Sequence, residues 1–250
     1  MAVHVPLSKA AKAEARELML SSTNVLGPKD GKLILSPSQD IVLGIYYLTK
    51  INQETILKVF GSFDELDNAI NMKTTHIHDI VAVPMKIFGT KFKKEMKDGY
   101  KFILSTVGRI LINKELPEEY IFVNEVTDSS LKSVPVDYMA KAGELDSKFK
   151  AIASAKVEYG PFKKGNISKL IETVFEQFPE EISRVLDAVK NLGFKYSMIS
   201  GASMAMSDIV EIEKKDEIIA EADKLVSQLQ EKTDEGLLTD DQRYEAVLKV

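Results

Sequence analysis

The segment 166–193 constrains the chain more than any other. Asn166 precedes Ile167, Leu170, Ile171, Val174, Phe175 and Phe178, apolar residues at the steps i, i+3, i+4, i+7, i+8 and i+11 of a helix, and Pro179 forbids its continuation. A stripe that wide must be buried. Pro179 suits the first turn of a second helix, Glu180 and Glu181 complement its dipole, and Ile182, Val185, Leu186 and Val189 repeat the stripe up to Gly193, which reads as its end. Two such helices require a core to pack on, and 250 residues with 44% apolar content suffice for one or two domains.

Upstream the pattern is mixed. Ser8 reads as the N-cap of a helix over 9–21, with Ala11, Ala15, Leu18 and Met19 on one face whose small residues permit close packing. Turn chemistry at Gly27-Pro28 and Asp30-Gly31 leads to a short strand at Lys32–Leu35, and Ser38 caps a second helix carrying Val42, Ile45, Tyr46 and Thr49. A short helix near 62–71 and β-rich segments at 76–88 and 100–112 follow, whereas 127–165 carries no pattern. The fold class is α+β. The ends read as those of a piece of a longer chain: Ala2, Val3, His4 and Val5 alternate like the tail of a half-buried strand, and the last helical run stops at Val250 with no Gly, Asn or Pro to end it.

The final forty residues differ in kind. Ile218, Ala222, Leu225 and Leu229 form a heptad-like seam widened by Ile219 and Val226, and Gly236 marks a turn. Thr239 with Gln242 makes a capping box opening a second helix through Tyr244 and Val247, so the pattern predicts an antiparallel hairpin with its tip near Leu237. Residues 211–245 hold twelve acidic against five basic side chains, while the remainder of the chain is slightly basic. Such a hairpin repels nucleic acid and suits either a basic protein partner or plain solvation.

No catalytic constellation emerges from spacing. The net charge of −5 argues against a protein that coats nucleic acid, although 86–101 gathers six lysines against Glu95 and Asp98; that hairpin-like patch fits a phosphate backbone or an edge protected from aggregation. The absence of cysteine excludes disulfides, a thiolate zinc site and a cysteine nucleophile, and fits a reducing compartment. His76-x-His78 beside Asp79 reads as structural, with no third ligand assured, so no metal site is assigned. Signatures of nucleotide-binding loops, zinc proteases and nucleophile elbows are missing. Met198, Met204 and Met206 fit burial beside the helix pair better than an adaptable groove. No apolar run is long enough for a membrane span, and the chain reads as cytoplasmic.

Particular strings say more. Met1 to Ser8, Glu14-Ala15-Arg16, Leu18 to Ser21, Pro37-Ser38-Gln39-Asp40 and Leu43 to Thr49 closely resemble the largest, β′ subunit of bacterial-type DNA-directed RNA polymerase. So do Thr106-Val107-Gly108-Arg109, Leu116-Pro117, Phe122-Val123-Asn124-Glu125, Leu192 to Tyr196, Ser200 to Ser203, Ser207-Asp208-Ile209, Glu213-Lys214-Lys215, Glu217-Ile218-Ile219 and Gly236 to Thr239, in the family's order.

The resemblance implies a segment that begins just after the loop whose aspartates hold the catalytic magnesium in the family. Residues 1–22 would be the tail of the catalytic double-psi barrel, 23–197 a pore module, and 198–250 a funnel with a helical-hairpin rim. Magnesium would serve the whole polymerase with its ligands outside this chain, which holds no catalytic or metal residue and would be inactive alone. Asn24 and Gln39 match positions approaching the active centre and are candidates for active-site support, or only tie turn to helix; Leu237, Leu238, Thr239, Asp240 and Asp241 match the rim tip and are candidates for regulator docking. Implied partners are the rest of β′, the other core subunits, DNA, RNA, nucleoside triphosphates and secondary-channel transcription factors. A separate class of function stays open: a stand-alone cytoplasmic adaptor that binds protein through its acidic coiled coil.

Overall fold

The computed structural model describes residues 3–21, 24–27, 29, 31, 34–154, 160–210 and 212–250. It contains α1 (Lys9–Glu14), α2 (Gln39–Thr49), β1 (Lys58–Val59), α3 (Phe63–Asn71), β2 (Ile80–Pro84), α4 (Lys93–Lys97), β3 (Phe102–Thr106), α5 (Val107–Glu115), β4 (Met139–Ala140) and α6 (Leu145–Ser154). Then come α7 (Lys164–Gln177), α8 (Ile182–Ser200), α9 (Lys215–Asp234) and α10 (Asp240–Val247). The architecture is α+β. Two compact units divide it, Met1–Ala202 and Ser203–Val250.

The sheet has the order β1-β2-β3-β4, with β1 parallel to β2 and the other pairs antiparallel; Ala82 faces Leu104 at the centre of the long ladder. Ile80, Val81, Ala82 and Val83 are buried in succession, as expected of a strand covered on both faces. One core surrounds this sheet and includes Phe63, Phe88, Phe92 and Phe122, whose rings meet 5.0–5.8 Å apart. A second core lies among α2, α5, α7 and α8, and the partly buried Leu111 and Ile121 pack against both.

The α7–α8 pair is present and buries Ile167, Leu170, Ile171, Val174, Ile182, Val185 and Val189. Each such side chain contributes roughly 1.5–3 kcal/mol of transfer free energy. Helix α7 starts before Asn166, at Lys164, and Pro179 ends it as expected, opening a short 3-10 turn at Pro179–Glu181. Gly193 does not end α8. The helix runs on to Ser200 and stops at Gly201 in the left-handed conformation, φ 60°. Gly193 is needed for another reason: a Cβ there would lie 2.7 Å from Ile41 Cγ2, and one on Gly44 would lie 1.8 Å from the Gly193 carbonyl oxygen. The backbones of α2 and α8 touch at these two residues, and no larger side chain fits between them.

Other expectations are corrected. Of the expected strand tail 2–5, Ala2 lies outside the described residues, and Val3, His4 and Val5 form no strand and are exposed. The 9–21 helix exists as α1 followed by one π-helical turn, Ala15–Met19, but nothing in it is buried, so its apolar face has no packing partner among the described residues. Ser8 caps it through the Ala11 N–H as expected. Of the expected strand 32–35, Lys32 and Leu33 lie outside the described residues; Ile34 donates its N–H to Val25 and Leu35 belongs to no strand. Ser38 occupies the N-cap position of α2 without a side-chain capping bond. The segment 100–112 is strand only to Thr106, whose hydroxyl accepts the Arg109 N–H and starts α5. The three methionines are not core: Met198, Met204 and Met206 are 77%, 82% and 84% exposed; Met198 lies beyond Tyr196, the last buried residue of α8, and the other two follow the end of that helix.

Candidate functional site

Helix α2 carries one of the two sequence-derived sites. Gln39, its first residue, is exposed and has φ 47°, a left-handed conformation costly for a residue with a Cβ. Asn24 is also exposed, but its amide donates to the carbonyls of Leu18 (2.5 Å) and Leu20 (3.3 Å), which ties the end of the first helix to the turn. No hydrogen bond joins Asn24 to Gln39. Gln39 is therefore held by its backbone and presents its amide outward, while Asn24 has a structural task already.

The other end of α2 is fastened by buried polar groups that sequence spacing did not single out. The Arg109 guanidinium, 1% exposed, donates from Nε and Nη2 to the Thr49 carbonyl at 3.2 and 3.1 Å and from Nη2 to the Gly160 carbonyl at 3.3 Å, and it lies 5.7 Å from the Phe162 ring centre. The Thr49 hydroxyl donates to Ile45 O and accepts the Phe162 N–H, both at 2.8 Å. One turn on from Arg109, Asn113 donates to the carbonyls of Arg109 and Val123 and accepts the Val123 N–H at 2.7 Å. Asn124 donates to Leu104 O and accepts from Ser105. Burial pushes the Glu125 carboxyl up while nearby Arg109 pulls it down, and the Tyr138 hydroxyl donates to it. The signal for this network was polar letters inside apolar blocks: Arg109 and Asn113 stand one turn apart in α5, and Asn124 follows the buried Phe122 and Val123.

His78 extends the same theme. Its Nε2–H donates to Tyr47 O at 2.7 Å, its ring meets the Tyr47 ring edge-on, and burial holds its pKa below the usual value. Among the described residues, no group of three or more His, Asp or Glu is placed to hold a metal ion. The lysine-rich segment is not uniformly a free patch. Lys91 donates to Pro117 O (2.9 Å) and Leu116 O (3.4 Å), and burial, with Arg184 adding repulsion, lowers its pKa to about 8; Lys86, Lys97 and Lys101 are exposed.

The second site is the hairpin tip. Gly236, φ 77°, follows α9, with its N–H donating to Thr233 O and that of Leu237 to Lys232 O, the paired bonds of a Schellman motif. The capping box forms: Thr239 Oγ1 accepts the Gln242 N–H at 3.3 Å and Gln242 Oε1 accepts the Thr239 N–H at 3.1 Å. Leu237 is 69% exposed, Leu238 is half-buried, and Asp240 and Asp241 are exposed in the first turn of α10, where they favour the helix dipole. In α9 Ala222, Leu229 and Thr233 are half-buried, as are Arg243, Ala246 and Val247 in α10. Ile218, Ile219, Leu225 and Val226, expected in the seam, stay exposed because α10 is much the shorter helix.

Residues 24–209, which include Asn24, Gln39 and the whole Arg109 network, match the model of the family described as RNA polymerase Rpb1, domain 3. The chain belongs to that family. It is 41% identical to the DNA-directed RNA polymerase subunit beta′ of Bacillus mycoides and of Bacillus anthracis, and 40% identical to that of Halalkalibacterium halodurans. Each alignment runs over 255 positions and takes in 100% of this chain. The chain spans 21% of the length of those subunits, so it corresponds to a segment of a β′ subunit. The Rpb1 domain 3 match ends before α9, and the β′ match continues through the hairpin. No helix among the described residues is long and apolar enough to cross a membrane.

Proposed function

We propose that this chain acts within a DNA-directed RNA polymerase, where it shapes the wall of the active centre and of the secondary channel that admits nucleoside triphosphates and passes backtracked RNA, and where α9–α10 docks transcription factors. The observation that carries the reading is the match to β′ subunits along the entire chain, through both candidate sites. The described residues offer no metal-ligand cluster, so no step is assigned to a metal held by them. Their work is to shape and orient: Gln39 offers an outward amide at the start of a packed helix, and Leu237 with Asp240 and Asp241 offers an exposed apolar residue beside two carboxylates. DNA, RNA and the other core subunits are partners of the assembled enzyme under this reading.

The test uses a complete β′ subunit assembled with its core partners. Leu237→Ser combined with Asp241→Lys is expected to weaken stimulation by a transcript-cleavage factor at least about tenfold, the scale of an interface anchor and a reversed charge. Nucleotide addition without the factor stays normal. An unchanged factor response removes the docking role from the tip.

A further inference from the structure

The lysines of 86–101 take on a different meaning once the sheet has formed. Lys91 is drawn inward onto two carbonyls, whereas Lys86, Lys97 and Lys101 stay exposed. The Met85 N–H donates to Lys101 O at 2.9 Å and the Lys101 N–H to Ala140 O at 3.0 Å, so Lys101 lies between Met85 and Ala140 at one end of the sheet. Lys86 and Lys141 directly follow those two neighbours, and Lys141 is exposed as well. Strand pairing therefore brings in a lysine from forty residues further along. Met85, Lys101 and Ala140 cover two interstrand spacings, about 10 Å. Lys97 ends α4 and is joined to this group by a tight turn, in which the Gly99 N–H donates to Met96 O and the Tyr100 N–H to Glu95 O.

This placement decides between the two uses of such a patch. Lysines that guard against aggregation stand along a free strand edge. Lys86 and Lys101 adjoin the ends of β2 and β3, the interior strands of the order β1-β2-β3-β4, and have no free edge to guard. Nor are the charges cancelled. The stretches 86–101 and 139–144 carry seven lysines against Glu95, Asp98 and Glu144, an excess of four positive charges. Among the described residues no carboxylate forms an ion pair with Lys86, Lys97, Lys101 or Lys141. The Lys141 ammonium lies 5.3 Å from the ring centre of Tyr100, a contact that keeps it beside Lys101. Unpaired ammonium groups on flexible stems fit a run of phosphates, since each can find a partner without a fixed geometry. The width takes about three phosphates of one strand at duplex spacing. A duplex is read by a helix or a two-stranded ribbon that enters a groove. The helix at this end of the sheet, α4, has five residues and gives way at once to the Gly99 turn, so a single strand fits better.

We propose that the end of the sheet carrying Lys86, Lys97, Lys101 and Lys141 is a docking surface for single-stranded RNA, the enzyme's own transcript, held by its phosphates. The surface is separate from Gln39 and from the hairpin tip, and its assignment to RNA rests on the reading that the chain acts within an RNA polymerase.

The experiment uses complete β′ in the assembled core enzyme. Transcribing complexes on one DNA, halted with transcripts of increasing length, are treated briefly with an amine-acylating reagent, and mass spectrometry reads each lysine. Lys86, Lys101 and Lys141 are expected to lose reactivity at least about threefold as the transcript lengthens and to regain it after ribonuclease treatment. Because the DNA is the same throughout, such a change belongs to the RNA. The charge is read by binding a single-stranded RNA of about 15 nucleotides at several salt concentrations. Lys101→Glu combined with Lys141→Glu is expected to lower the steepness of log K against log salt by about 1.4, about 0.7 for each lysine, while Lys101→Arg combined with Lys141→Arg keeps it. Lysines that are unreactive before any transcript is made show that protein covers the sheet end, and overturn the proposal. So do reactivity that ignores transcript length, an unchanged salt slope, an equal loss in the arginine pair, and equal protection by duplex DNA or an acidic polypeptide. An assembled enzyme that makes no transcript overturns the polymerase reading itself, whereas normal synthesis with unprotected lysines overturns the docking surface alone.

Discussion

The core around α2 and the hairpin α9–α10 are both helical, yet they are held by opposite means. In α2 the decisive groups come from far along the chain: Gly193, Arg109 and Phe162 meet a helix that ends at Thr49. In the hairpin every identified tie is local, from the Schellman bonds at Gly236 to the Thr239–Gln242 box, and neither helix has a buried residue. One region is specified by packing and the other by backbone chemistry. The difference separates a part that must hold a fixed shape from a part whose exposed side chains are open to contact.

The sharpest way to break the contrast is a single methyl group. Gly44→Ala drives a Cβ into the Gly193 carbonyl and is expected to cost roughly 3 kcal/mol or more, seen as a lost or much lowered denaturation midpoint. Asn113→Ala comes next: it strands the Val123 N–H and carbonyl inside the protein and is expected to cost about 2–3 kcal/mol by chemical denaturation.

Lys91 sharpens the comparison through pH. Its folded pKa of about 8 is below the ordinary 10.5, so between those values the unfolded chain binds more protons and stability rises with pH. Below about 8 the penalty for burying the ammonium is fully in force, and above 10.5 it is gone. Lys91→Met should flatten that slope in denaturation curves taken from pH 7.5 to 10.5, values that bracket the window.

The hairpin should respond more weakly. Thr239→Ala removes one cap, an expected loss of about 1 kcal/mol confined to α10, visible as faster hydrogen exchange in 240–247 with the first unit unchanged. Leu237→Ser should change stability by less than about 0.5 kcal/mol, since the side chain is largely exposed.

How much could be read beforehand follows the same line. The capping box, the turn at Gly236 and the helices at 62–71 and 166–178 were legible because each depends on neighbours within a turn or two. Asn24 and Gln39 were picked out by resemblance, and their local geometry differs: one amide is tied to nearby carbonyls, the other faces outward from a strained backbone. Gly193 was misread because a glycine at a close crossing and a glycine at a helix end look alike in one dimension. The strand β4 and the helix α6, inside the unpatterned 127–165, were missed; β4 is two residues long, and such a strand is defined only by the edge it joins. The methionines after Tyr196 were misplaced because apolar content alone does not say where a core stops.

By itself the amino-acid order determined the periodic helices, their caps and turns, the acidic character of the last segment and, through its strings of matching residues, the family. The tertiary structure alone decided that three glycines would be contact points, that Arg109 would be sealed inside against two carbonyls, and that the apolar face at 9–19 and the side chains of Met198, Met204 and Met206 would be uncovered among the described residues. The reason is range: hydrogen bonds within a turn are fixed by neighbours in sequence, whereas close packing and the enclosure of charge depend on residues that only folding brings together.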